Sequence, residues 1–91
     1  MAIRKIVKLG DEALRAELGG RYDIVLANIV ADVIIGLAPM VRSLLAPGGL
    51  FLCSGIIDDR AEEVAAHLRE AGLEITETRS ADGWFAYTCH F

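Results

Sequence analysis

The sequence lacks the features that most readily identify a small protein. Its 91 residues include 2 Pro, 2 Cys and 7% aromatics, too little Pro for a Pro-rich linker and too little Cys for a disulfide scaffold. Cys53 and Cys89 stand far apart, without a Cys-x-x-Cys pair, so buried free thiols are expected rather than a bridge or a metal site. The longest apolar stretch, Ile24 to Leu45, is broken by Asn28, Asp32, Gly36, Pro39, Arg42 and Ser43, which excludes a helical membrane span. Arg4 and Lys5 are not followed by the apolar run of a secretory signal, and the expected location is the cytoplasm. Positive charge is also short. The net charge is -4 and the pI about 5.0, which argues against nucleic acid or an anionic membrane as partner. A local excess of cations is confined to the start, where Arg4, Lys5, Lys8 and Arg15 face Asp11 and Glu12.

Catalytic signatures are missing too. There is no Gly-x-Gly-x-x-Gly or Walker-type loop, so the chain alone builds no phosphate cradle. Ser54-Gly55 is preceded by Leu52-Cys53, which is not a nucleophile elbow. His67 and His90 have no metal-ligating neighbours at ligand spacing, and no metal site is expected.

What the chain has is apolar mass. Hydrophobic residues make up 54% and the mean hydropathy is +0.42, although a domain this short buries only about 60–65% of its unfolded surface. Some of that surface should therefore meet a partner or a missing part of a larger fold. One small domain over residues 1–91 is expected, with a strand-helix segment over 1–20 followed by an α/β unit over 21–91.

Hydrophobic periodicity orders the elements. Ile3–Leu9 has the β-branched character and the cations of an edge strand. Asp11 can cap a short helix that runs to Leu18 and stops at Gly19-Gly20. Tyr22–Ile29 and Leu50–Ile57 are near-continuous apolar runs, the pattern of parallel strands covered on both faces. Between them the apolar spacing from Asp32 to Leu45 is helical. Pro39, which cannot donate to the carbonyl of Ile35, predicts a kink or restart. Pro47-Gly48-Gly49 reads as a turn, and Asp59 to Glu62 as an acidic variant of the capping box for a helix ending at Gly72. Leu73–Arg79 and Trp84–Phe91 flank a turn too short for anything but an antiparallel hairpin. The order βαβαβαββ predicts a mostly parallel α/β sheet, helices on both faces, and a C-terminal antiparallel hairpin.

In such sheets ligands bind beyond the carboxyl ends of the strands, which here deliver Gly10-Asp11, Ala27-Asn28-Ile29 and Ser54-Gly55. The Asn28 amide could accept from a substrate amine while donating elsewhere, or could simply cap the following helix. Asp11 could accept from the exocyclic amine of a base, or act as a cap. Ser54-Gly55 could approach a ligand by backbone or pack closely on a neighbour. The acidic group Asp58, Asp59, Glu62 and Glu63 reads as a helix start favoured by the macrodipole.

The segments YDIVLANIVADVI (22–34), LAP (37–39), LLAPGG (44–49), LCSGI (52–56) and GWFAYTCHF (83–91) resemble the C-terminal half of a known family. These are the bacterial methyltransferases of stalk protein eleven of the large ribosomal subunit, class I enzymes dependent on S-adenosylmethionine. The resemblance implies half of a Rossmann-like sheet and a ribosomal-protein lysine or amine N-methyltransferase as the parent activity. It places Asn28 at the end of the family's fourth strand beside the methyl donor and the target amine, with Ile29 lining the same cleft, and makes Asp11 a contact near adenine. The family's Gly-rich first strand, its acidic ribose contact and its N-terminal recognition domain have no counterpart here, which implies that the chain alone is inactive. The opening MAIRKIVKLGDEALR is similar to the start of peptide deformylases, without their His-Glu-x-x-His motif, and raises the alternative of a noncatalytic or engineered chimeric module that self-associates. Without the family's first strand, the apolar strand Tyr22–Ile29 has an open edge. The expectation is that Ile3–Leu9 fills it, or that two chains pair there as a homo-oligomer.

Overall fold

The computed structural model describes residues 3–10 and 21–91. The elements are β1 (Ile6–Leu9), β2 (Tyr22–Asn28), α1 (Ala31–Leu37), a 3-10 turn (Ala38–Met40), α2 (Val41–Leu44), β3 (Leu45–Ile57), α3 (Asp58–Glu70), β4 (Glu74–Ala81) and β5 (Trp84–His90). They form one five-stranded sheet in the order β1-β2-β3-β5-β4. β1, β2 and β3 run parallel, and β5 is antiparallel to both of its neighbours. This is the mostly parallel α/β sheet with a closing hairpin that the alternation predicts. The expected helix over residues 11–18, and Asp11 with it, lie outside the described residues.

β1 fills the open edge of β2. Its residues Ile6 to Leu9 pair in parallel with Ile24 to Ala27, so the vacancy is closed within the chain. The Asp23 carboxylate fastens the start of this pairing by accepting from the backbone N–H groups of Arg4 at 2.8 Å and Lys5 at 3.0 Å. Those two bonds hold the Asp23 carboxyl below its ordinary value.

The described helices α1 and α3 pack on one face of the sheet. Covering both faces requires the strand order to reverse, whereas here the crossovers from β2 to β3 and from β3 to β4 step in the same direction. Right-handed crossovers with a common direction place their helices on a common face, and α1 and α3 are in contact there. Under them lie Val25 of β2, Phe51 and Ile56 of β3, Ile34 and Leu37 of α1, and Val64 and Leu68 of α3, all fully buried. Cys53 and Cys89 belong to the same core as free thiols. A hydrogen bond with Cys89 and burial raise the Cys53 thiol well above its usual range, leaving it an inert packing group. Tyr87 reaches from β5 to α3 and donates its hydroxyl to the carbonyl of Ala61 at 2.8 Å.

Several local expectations are modified. Pro39 sits in the first turn of the 3-10 segment, so the helix restarts rather than bends. Pro47-Gly48-Gly49 falls inside β3 rather than before it: β2 advances from Tyr22 to Ile24 while β3 advances from Leu45 to Leu50, and the surplus residues bulge outward. The hairpin turn tightens to Asp82-Gly83, with φ of 52° and 81°, the pair of left-handed residues that the right-handed strand twist favours. The capping box is absent. α3 starts at Asp58 without a side-chain cap, and its first N–H donates to the carbonyl of Gly83 at 2.9 Å, so the hairpin itself satisfies the helix end.

Two expected outcomes test this account. The stabilisation from Asp23 is complete above the ordinary carboxylate value of 3.8 and is lost as the pH falls through its lowered value. Amide exchange at Arg4 and Lys5 should accelerate in that acid range, and at neutral pH in Asp23→Ala; unchanged exchange contradicts the role of this carboxylate. Tyr87→Phe removes one buried hydrogen bond and should lower unfolding stability by about 1 kcal/mol in chemical denaturation.

Candidate functional site

The site is built by the pairing of β2 with β3, which sets Asn28 opposite Ser54 at the carboxyl ends of both strands. Beyond Cys53 the β3–β5 register shifts, and the irregularity contains Gly55 with φ of 83°. A side chain at this residue would be strained by its backbone conformation. It would also collide with Asn28: a Cβ there would lie 2.6 Å from Asn28 Oδ1. Gly55 is thus a close-packing glycine, and the group it makes room for is the Asn28 amide.

Asn28 itself is exposed. The first turn of α1 is entered through Val30 with no side-chain cap, so Asn28 does not cap the helix. Among the described residues its amide has no hydrogen-bond partner, and both its donor and its acceptor remain open to a ligand. It lines a hollow of about 430 Å³ together with Lys8, Leu26, Leu52, Ser54 and Arg79. Ile29, in contrast, is 4% exposed and part of the core. It does not line this hollow, which departs from the expectation that it borders the same cleft as Asn28. Asp11 lies outside the described residues.

A second, smaller hollow of about 150 Å³ opens beside Gly55, between Val30, Asp32, Ile57, Arg60 and Trp84. Trp84 stands opposite Ile57 in the β3–β5 register, and its indole is half exposed, as are Val30 and Ile57. Three large apolar side chains exposed together beside a polar amide form a surface suited to the aliphatic part of a ligand. Sequence reasoning does not single out Trp84; its pairing with an exposed strand end turns it outward. Arg60 frames the hollow, bound to Asp32 at 2.6 Å and Glu63 at 2.7 Å, and it holds the Glu63 carboxyl below its usual range. These exposed pairs order the rim more than they stabilise it.

No Asp, Glu, Lys, Arg, His, Asn, Gln, Ser or Thr is buried among the described residues, and none of them forms a group of three or more His, Cys, Asp or Glu able to hold a metal. His67 and His90 are solvated, with His90 Nε2 3.8 Å from Glu74. The chemistry available at this end of the sheet is therefore orientation by an amide and an apolar surface.

A family model described as ribosomal protein L11 methyltransferase (PrmA) matches residues 2–91. The chain is 43% identical over 84 residues to the ribosomal protein L11 methyltransferase of Heliobacterium modesticaldum, covering 92% of this chain and 27% of that relative. It is 40% identical over 87 residues to that of Desulforamulus reducens, covering 96% and 28%. The crystal structure of a ribosomal protein L11 methylase from Lactobacillus delbrueckii subsp. bulgaricus superposes with a TM-score of 0.80 at 27% identity, over 85% of this chain and 40% of that one. The chain thus spans about a quarter of the length of the curated relatives it matches. The family match begins at residue 2, so the opening segment falls within it and the likeness to peptide deformylases finds no support. No helix among the described residues is long and apolar enough to cross a membrane. With sequence and fold in agreement over nearly its whole length, the chain belongs to the ribosomal protein L11 methyltransferase family.

Proposed function

We propose that this chain supplies the target-amine side of a cytoplasmic, S-adenosylmethionine-dependent N-methyltransferase whose substrate is the ribosomal protein L11. The observation that carries this reading is the Asn28 amide, held at the carboxyl end of β2 by the absent side chain of Gly55 and without a hydrogen-bond partner among the described residues. Its oxygen can accept from an incoming amine and so aim the nitrogen lone pair along the line of displacement. The apolar surface of Val30, Ile57 and Trp84 can hold the methylene stem of that amine and shed water from it. Positioning of this kind accounts for much of the rate of a displacement that needs no acid/base pair from the protein.

S-adenosylmethionine, when bound, would supply an activated methyl group carried on a positively charged sulfur, for transfer to a deprotonated amine. The residues present fit only part of this group. An amide and an apolar surface are in place on the reacting side, whereas the sequence has no Gly-rich turn for the rest of the donor. Methyl transfer by these 91 residues alone is therefore not expected, and Asp11 remains a proposed contact of the donor's base.

The test is a chimera in which this chain replaces the 84 matched residues of the Heliobacterium modesticaldum relative. It should methylate L11, and Asn28→Ala should lower kcat by about 10²-fold, the scale of a lost positioning contact. Gly55→Ala should act in the same direction by displacing the Asn28 side chain. Full activity of the folded Asn28→Ala chimera would falsify the assignment. The isolated 91-residue chain should show no turnover with the same substrate.

A further inference from the structure

Asn28 has a polar neighbour at the end of its strand. The β2–β3 ladder stays regular as far as Asn28 opposite Ser54, whereas the β3–β5 register breaks after Cys53 and resumes at Ile56. Ser54 thus has a partner in β2 and none in β5. It is half-buried, and its hydroxyl has no hydrogen-bond partner among the described residues. It lines the hollow of about 430 Å³ with Asn28 and also borders a hollow of about 410 Å³ that contains Gly55 and Trp84. Ser54 therefore stands between the amide and the indole, which line separate hollows.

The spacing suits a single nitrogen atom. Neighbouring strands lie about 4.8 Å apart, and two oxygens that each accept from one N–H of the same amine at about 2.9 Å stand about 4.7 Å from each other when the N–H groups diverge tetrahedrally. A deprotonated primary amine has two N–H groups and one lone pair. Held by one acceptor it still turns about that bond, and its lone pair sweeps a cone; held by two, the lone pair has one direction. Asn28 Oδ1 alone provides the first situation. A serine hydroxyl carries two acceptor lone pairs and can accept while its own proton points to water. Glu77, the carboxylate among the described residues lining the larger hollow, is engaged by Arg79 at 2.6 Å, so the acceptors at the strand ends are neutral, as suits a neutral amine. We infer that the Ser54 hydroxyl is a second acceptor for the target amine, an assignment that rests on the target-amine reading of Asn28. The two residues share the N–H groups of the amine and together fix the line of its lone pair.

The experiment uses the chimera described above, with Ser54→Ala, Ser54→Thr and Ser54→Val, assayed on L11. Ser54→Ala should lower kcat about tenfold, the scale of one lost hydrogen bond, while KM for L11 stays within about twofold. The melting temperature should be little changed, because the hydroxyl has no partner among the described residues. Ser54→Thr, which keeps the hydroxyl, should retain most of kcat, whereas Ser54→Val should fall as far as Ser54→Ala. Thr and Val differ in the hydroxyl and hardly in shape, so a packing defect would lower both alike. Equal losses in Ser54→Thr and Ser54→Val, a loss in Ser54→Ala carried by KM alone, or full activity of Ser54→Ala beside an impaired Asn28→Ala overturns the inference and leaves the Asn28 reading standing. A folded chimera that does not methylate L11, or one in which Asn28→Ala is fully active, removes the target-amine reading and this inference with it.

Discussion

The parallel pairing of β2 with β3 is the constraint on which the rest of the structure depends. Its register, from Ile24 opposite Leu50 to Asn28 opposite Ser54, puts Val25 and Phe51 under the helices and Leu26 and Leu52 on the other side. A slip of one residue would exchange those two sets and turn the core outward. The same register brings the two strand ends level, so that Asn28 lies against Gly55. Core and site are thus fixed by one alignment, and the left-handed backbone at Gly55 is the local adjustment that lets β3 pass the amide.

A second consequence is the placement of the described helices. The crossovers from β2 to β3 and from β3 to β4 step in one direction, so the described helices share one face. The high hydropathy of so short a chain then has a location. It is the strip of Ile24, Leu26, Leu50 and Leu52 that the described helices do not reach, together with the exposed cluster of Val30, Ile57 and Trp84 at the carboxyl end. A chain that spans about a quarter of its relatives' length carries surfaces proportioned to something larger.

Much of this was legible from residue order. The apolar runs marked β2 and β3, the stripe of Ala61, Val64, Ala65 and Leu68 marked α3, and the short turn before Trp84 required a hairpin. Pro39 announced an interruption, either a kink or a restart, because a missing N–H acts locally. What escaped prediction depended on distant partners. Asp58 is satisfied by the carbonyl of Gly83, a residue 25 positions on, so a capping box inferred from four consecutive residues had no means of registering the alternative. Ile29 looked equivalent to Asn28 at a strand end, but the pleat sends neighbouring side chains to different surroundings, one to the core and one to solvent.

The sequence by itself determined the alternation of strands and helices, the parallel character of the central pair, the free thiols in the interior and the residue types at each strand end. Those follow from short-range physics: periodicity, backbone propensity and the limits of a short loop. Only the tertiary structure decided that Asn28 faces a hollow without capping α1, that Gly55 exists to clear it, that Trp84 is turned outward, and that the described helices share one face of the sheet. Each of these depends on which strand lies beside which and in what register, a relation between segments far apart in the chain that no local pattern of residues encodes.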